Sequence, residues 1–149
     1  MASAGLPNAA VALVLALARI ACAAAADALS YGQRVGIVDP QLEVSCAQAQ
    51  EALRADGAQV IDVREPYEWE AGRVPGARHI ELERLGSSAE TIDAARPVIF
   101  QCRAGIRSAM AAQAFRRAGY DAWSMAGGLE AWAAAGLPLE PSDGYVAPH

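Results

Sequence analysis

What this chain lacks narrows its chemistry before any motif is considered. Lysine is absent: all twelve basic residues are arginines, which beside the abundant alanine looks like coding bias and carries no functional meaning. Histidine is scarce, with His79 and His149 too few and too scattered to build a metal site. The three cysteines, Cys22, Cys46 and Cys102, form no Cys-x-x-Cys pair and no zinc-like spacing, and an odd number is a poor disulfide framework. A net charge of −5, with no arginine cluster interleaved with aromatics, argues against nucleic-acid binding. No residue pattern calls for a metal or an organic cofactor.

Long apolar runs are confined to residues 1–30. Ala9 to Leu17 is unbroken, and Ala18 to Ala26 continues it with only Arg19 intervening. The unbroken run is too short to span a bilayer, and Arg19 would sit near mid-membrane if the whole stretch did. Two readings stay open. In one, residues 9–26 contact a membrane as an export signal or anchor, because Ala-x-Ala sites crowd residues 21–26. In the other they form an Ala/Leu helix, capped by Asn8, packed on the domain or a partner. The leader Met1–Asn8 lacks the positive side chain that a signal favours. The first reading implies a periplasmic or membrane-associated protein, the second a cytoplasmic one.

What is present concentrates in one heptapeptide, Cys102-Arg103-Ala104-Gly105-Ile106-Arg107-Ser108. It follows the apolar run Pro97-Val98-Ile99-Phe100, expected as a buried strand, and precedes Ala109 to Phe115, rich in helix formers. A cysteine at a strand-to-helix turn beside a small residue and a glycine suits a loop whose N–H groups point inward. At a helix N-terminus such a loop cradles an anion and favours a thiolate. Arg103 and Arg107 add charges that do not titrate away. A buried inert thiol, the usual state of a free cysteine, needs none of these neighbours.

Cys102 to Ser108, with Ala109 and Ala111-Ala112, resembles the active-site loop of the rhodanese (sulfurtransferase) family. Val60-Ile61-Asp62-Val63-Arg64-Glu65-Pro66-Tyr67-Glu68-Trp69, continuing to Gly72-Arg73-Val74-Pro75-Gly76-Ala77, is similar to that family's N-terminal signature. Gly119-Tyr120-Asp121 and Met125-Ala126-Gly127-Gly128-Leu129-Glu130-Ala131-Trp132 are similar to its closing segment. Arg73 and Glu81 depart from the family's usual histidine and proline. The resemblance implies a sulfurtransferase with Cys102 as nucleophile and Arg103, Ala104, Gly105, Ile106 and Arg107 as the substrate-binding loop. Thiosulfate, cyanide and thiols are the donors and acceptors it implies, and a protein sulfur acceptor is a further partner. The rival is a relay or protein-interaction module with little free turnover. Arg107 stands five positions after Cys102, giving Cys-x4-Arg. Cysteine-dependent phosphatases and arsenate reductases carry Cys-x5-Arg, so the shorter loop favours an outer sulfur over a phosphate. Arg103 is expected to face the pocket and attract an anionic donor; Arg107 is expected to brace the loop. Asp62, Arg64 and Glu65 are expected to fix loop and turn geometry through a carboxylate–guanidinium pair.

At 149 residues the chain suits one domain with a real core. The division expected is residues 1–30 as the apolar segment, 31–43 as linker, 44–140 as a rhodanese-like domain and 141–149 as a tail. Strands are expected at Val35–Val38, Val60–Val63, Arg78–Ile80, Val98–Gln101 and Ala122–Met125. Helices are expected from the Ser45 capping box to Ala55, at Pro66–Ala71, after Cys102 to about Ala118, and at Leu129–Ala135. Glu81–Ala95 is polar and expected to be helical in pieces. The alternation predicts an α/β fold, a parallel sheet flanked by helices on both faces. Ligands bind such sheets at the strands' C-terminal ends, where Cys102 and Asp62-Val63-Arg64 fall. Trp69, Trp123 and Trp132 are expected in the core or pocket wall, and His79 at the surface.

Overall fold

A computed structural model describes residues 38–149. The readings for residues 1–30, for Cys22 and for all but Val38 of the Val35–Val38 strand lie outside the described residues. The described chain runs β1 (Glu43–Val44), α1 (Cys46–Arg54), β2 (Gln59–Asp62), α2 (Pro66–Ala71), β3 (Arg78–His79), α3 (Leu85–Ser88), β4 (Val98–Gln101), α4 (Ile106–Arg117), β5 (Ala122–Met125) and α5 (Gly128–Ala134). Short 3₁₀ turns at Leu82–Arg84 and Ala89–Thr91 flank α3, giving the broken helical stretch expected there.

The five strands form one sheet in the order β1-β5-β4-β2-β3, and every pairing is parallel. β4 and β5 are buried along their whole length. Their side chains alternate between two apolar layers, as the two-residue period of a strand demands. Ile99, Trp123 and Met125 join Val60 beneath α1 and α5, with Ala49, Ala52, Leu129 and Trp132. Phe100, Val98 and Ala122 join Ile61 beneath α3 and α4, with Leu85, Ala111 and Phe115. Helices therefore cover both faces, as expected.

Local signals start and stop the helices. Ser45 Oγ accepts from Gln48 N–H at 3.2 Å while Gln48 Oε1 accepts from Ser45 N–H at 2.7 Å, closing the capping box at α1. Asp56 then turns left-handed, with φ of 48°, and Gly57 N–H returns to Ala52 O at 2.8 Å. Pro66 opens α2, where a missing N–H costs nothing. β1 occupies positions read as linker and as the domain's first residue. Two residues carry no period, and their pairing with Ser124 and Met125 is non-local.

Residues 141–149 lie against the fold. Tyr145 N–H donates to Ala71 O at 2.9 Å, and Ala147 is buried. Arg73 and Glu140 exchange backbone hydrogen bonds at 3.0 and 2.9 Å. Gly72 follows α2 because the tail presses on it. A Cβ there would sit 2.5 Å from Tyr145 O and 2.7 Å from Tyr145 N. Gly72→Ala is expected to destabilise the protein by about 1–3 kcal/mol through overpacking. Urea unfolding checks the loss, and faster carboxypeptidase digestion of the variant would report the released tail.

Candidate active site

Parallel β2, β4 and β5 bring Asp62, Gln101 and Met125 to one edge of the sheet, and the loops leaving these strands build the site. β4 delivers Cys102, which is 1 % exposed. Gly105 N–H reaches its Sγ at 3.1 Å and Ser108 N–H at 3.5 Å. Gly105 takes a φ of 101°, a left-handed turn that side chains resist, and α4 starts at the next residue. The positive end of α4 and these N–H groups converge on the sulfur. Ser108 Oγ lies 3.5 Å from Sγ and 2.8 Å from Ser124 Oγ, and both serines are buried.

The loop is held from behind by α5. Leu129 N–H donates to Cys102 O at 2.8 Å and Glu130 N–H to Arg103 O at 3.0 Å. These bonds tie the first two carbonyls of the loop to the start of α5. Gly128 makes the approach feasible: a Cβ there would collide with the carbonyl oxygens of Cys102 and Arg103.

Ion pairs set the flank. Arg107 binds Glu68 with two hydrogen bonds, Nη1 to Oε2 at 2.7 Å and Nη2 to Oε1 at 2.8 Å. Glu68 is fully buried, and its Oε2 also accepts from Glu65 N–H at 3.0 Å. Burial works to raise the Glu68 carboxyl. The Arg107 hydrogen bonds, the Glu65 amide and the charges of Arg107 and Arg64 outweigh it and hold the group below its ordinary 4.5. The same pair raises the Arg107 guanidinium, first through its hydrogen bonds to Glu68. Arg64, also fully buried, grips Asp62 through Nε at 2.9 Å and Nη2 at 2.6 Å. Its remaining donors take Glu68 O at 2.9 Å and Gly72 O at 2.7 Å, satisfying carbonyls at the end of α2.

The expected site residues come together, with differences in detail. Asp62 and Arg64 form a pair, and Arg107 pairs with Glu68. Glu65 is exposed and takes part through its backbone. Ala104 is exposed and Ile106 half-buried in the loop. Arg103, expected to recruit a donor, has Nε 2.9 Å from Glu130 Oε1. His79 is no plain surface residue: its Nε2 meets Arg64 O at 2.7 Å, and its ring stacks on Trp69 at 5.0 Å. Arg73 covers Trp69 at 4.8 Å, so its departure from the usual histidine is absorbed as a cation–π contact. Trp123 and Trp132 are core. Glu68, Ser108, Ser124 and Gly128 are contributions that reading the motifs left without a role. For Glu68 a signal existed: a carboxylate in the first turn after Pro66, and an Arg107 needing a partner. A hollow of about 320 Å³ lined by Gln59, Arg78 and Arg96 lies beside the N-terminal end of β2. Its arginines are already engaged, with Thr91 and Asp56.

The Rhodanese-like domain family model matches residues 45–135. The thiosulfate sulfurtransferase GlpE of Actinobacillus succinogenes is 34 % identical over 103 residues, covering 68 % of this chain and 93 % of that protein. GlpE of Pseudomonas aeruginosa is 34 % identical over 93 residues, covering 62 % and 84 %. A rhodanese-related protein of Thermoplasma volcanium superposes with a TM-score of 0.61 at 25 % identity, covering 65 % of this chain and 95 % of that one.

The depressed Glu68 carboxyl predicts an acid limb to stability. A carboxyl lowered by folding contributes fully above its ordinary value near 4.5 and loses that contribution as pH falls through its folded value. Glu68→Gln is expected to cost about 3 kcal/mol at pH 7, because it leaves the Arg107 charge half-buried and unmatched. It is also expected to flatten the fall in stability below about pH 4.5. Urea denaturation of both proteins across this range checks both statements.

Proposed function

The chain belongs to the rhodanese-like domain family, and from that premise we propose that it is a sulfurtransferase carrying a sulfane sulfur as a persulfide on Cys102. The observation that supports this most is the convergence of the Gly105 and Ser108 N–H groups on Sγ at the start of α4. Those donors neutralise charge on sulfur without a general base. The Cys102 thiolate attacks the outer sulfur of thiosulfate. Its electron pair forms the new S–S bond, the old S–S bond breaks, and sulfite leaves with that pair. Cyanide or a thiolate then attacks the terminal sulfur, taking it as thiocyanate or a new persulfide and returning the Cys102 thiolate.

Phosphate chemistry fits the site less well. The loop is one residue shorter than a Cys-x5-Arg phosphate cradle, and both terminal nitrogens of Arg107 are bound to Glu68. A phosphate-binding arginine needs those nitrogens for substrate oxygens.

Sulfite release and thiocyanate formation from thiosulfate and cyanide test the reading directly. Cys102→Ser is expected to abolish both, while Cys22→Ser and Cys46→Ser retain most activity; a substantially active Cys102 variant would sink the mechanism. After incubation with thiosulfate alone, mass spectrometry is expected to find one added sulfur on the Cys102 peptide. Turnover of p-nitrophenyl phosphate is expected to be negligible, and robust hydrolysis would overturn the argument from loop length. Arg107→Ala is expected to reduce kcat or stability with little change in KM, because the guanidinium props the loop and does not meet substrate.

A further inference from the structure

The structure assigns Glu130 as the residue that sets donor charge preference: by pairing with Arg103 at the loop it disfavours dianionic donors and favours singly charged persulfide sulfur. This inference rests on the sulfur-transfer reading. The charges around Cys102 carry it. Arg64 is matched by Asp62 and Arg107 by Glu68, and both carboxylates are buried. Arg103 is the remaining guanidinium of the loop, and the Glu130 carboxylate lies 2.9 Å from its Nε. Among the described residues, each of these arginines thus has its own carboxylate, and the side-chain charge of the three pairs sums to zero.

The third pair differs from the other two. Its side chains are 30 % and 47 % exposed, so it borders solvent at the loop that carries Cys102. Arg103 Nε lies close to the carboxylate with no aligned hydrogen bond. Glu130 is kept in place by its own backbone, through the 3.0 Å bond to Arg103 O, independently of its side chain. A glutamine keeps that bond and removes only the charge.

With the arginine charge cancelled, anion binding falls to the loop N–H groups. These are fixed dipoles at the reacting sulfur, adequate for one negative charge. A dianion such as thiosulfate carries a second charge, which the carboxylate repels as much as the guanidinium attracts. A thiol-borne persulfide presents a single charge and so loses less.

Charge-selective kinetics test the assignment. Glu130→Gln is expected to lower KM for thiosulfate about two- to fivefold, the scale of a partly exposed ion pair, with a smaller change in kcat. Arg103→Gln is expected to raise that KM by a similar factor, and the double variant to return close to the starting value. With singly charged methanethiosulfonate each shift is expected to be smaller, and added salt to shrink all of them. A second measurement needs no turnover: the ratio of Cys102 alkylation rates with anionic iodoacetate and neutral iodoacetamide, read on the Cys102 peptide. That ratio is expected to rise in Glu130→Gln and fall in Arg103→Gln. An unmoved ratio, or equal KM shifts for both donors, overturns the assignment and leaves sulfur transfer standing. Shifted ratios in a protein that transfers no sulfur from either donor would support the charge assignment and overturn the sulfur-transfer reading.

Discussion

The two-pronged contact between Arg107 and Glu68 is the constraint on which the surroundings of Cys102 depend. α2 has only six residues, far too few to be stable alone. It is held at its end by Arg64, which takes the carbonyls of Glu68 and Gly72, and at its middle by Arg107, which takes the Glu68 carboxylate. One short helix therefore joins the end of β2 to the first turn of α4. Bringing these charges out of water is costly and is offset only while each has its partner in good geometry. The pairs are consequently better understood as devices for position than as sources of net stability. They fix where α4 begins, and hence where its N–H groups point.

Side-chain charge and backbone dipole are divided between two tasks. The buried guanidinium–carboxylate pairs are internally matched and present little net field to a ligand. The N–H groups at Gly105 and Ser108 are left to meet the sulfur. α5 anchors the start of the same loop through the carbonyls of Cys102 and Arg103. A site built this way needs no reorganisation when charge develops on sulfur, since the dipoles are already aimed. Apolar neighbours complete it: Cys102 belongs to the same layer as Val63, Ile80 and Leu85, which keeps water away from the thiol's flank.

Much of this was legible along the chain. β4 and β5 have the expected bounds, and so does α2, because each depends on local signals: apolar runs between turn residues, a proline start, a glycine stop. The Cys102 loop was legible for the same reason, since a cysteine, a glycine and a helix start lie close together along the chain. Asp62 and Arg64 were readable as a pair because two residues along a strand end bring side chains to the same face.

The remainder depends on residues that only folding makes neighbours. Glu68 finds Arg107 across 39 positions, and Ser108 finds Ser124 across 16. Gly128 is required by the carbonyls of Cys102 and Arg103, not by its own turn alone. β1 exists only because β5 offers it an edge. α5 sets a carboxylate beside Arg103, a neighbour that the loop's own residues do not announce. Most elements and the placing of Cys102 at the start of a helix were settled along the chain, because short-range sterics and capping specify these. Tertiary structure alone decided which charges remain free, because cancellation depends on distance through space, and that distance is unrelated to separation along the chain.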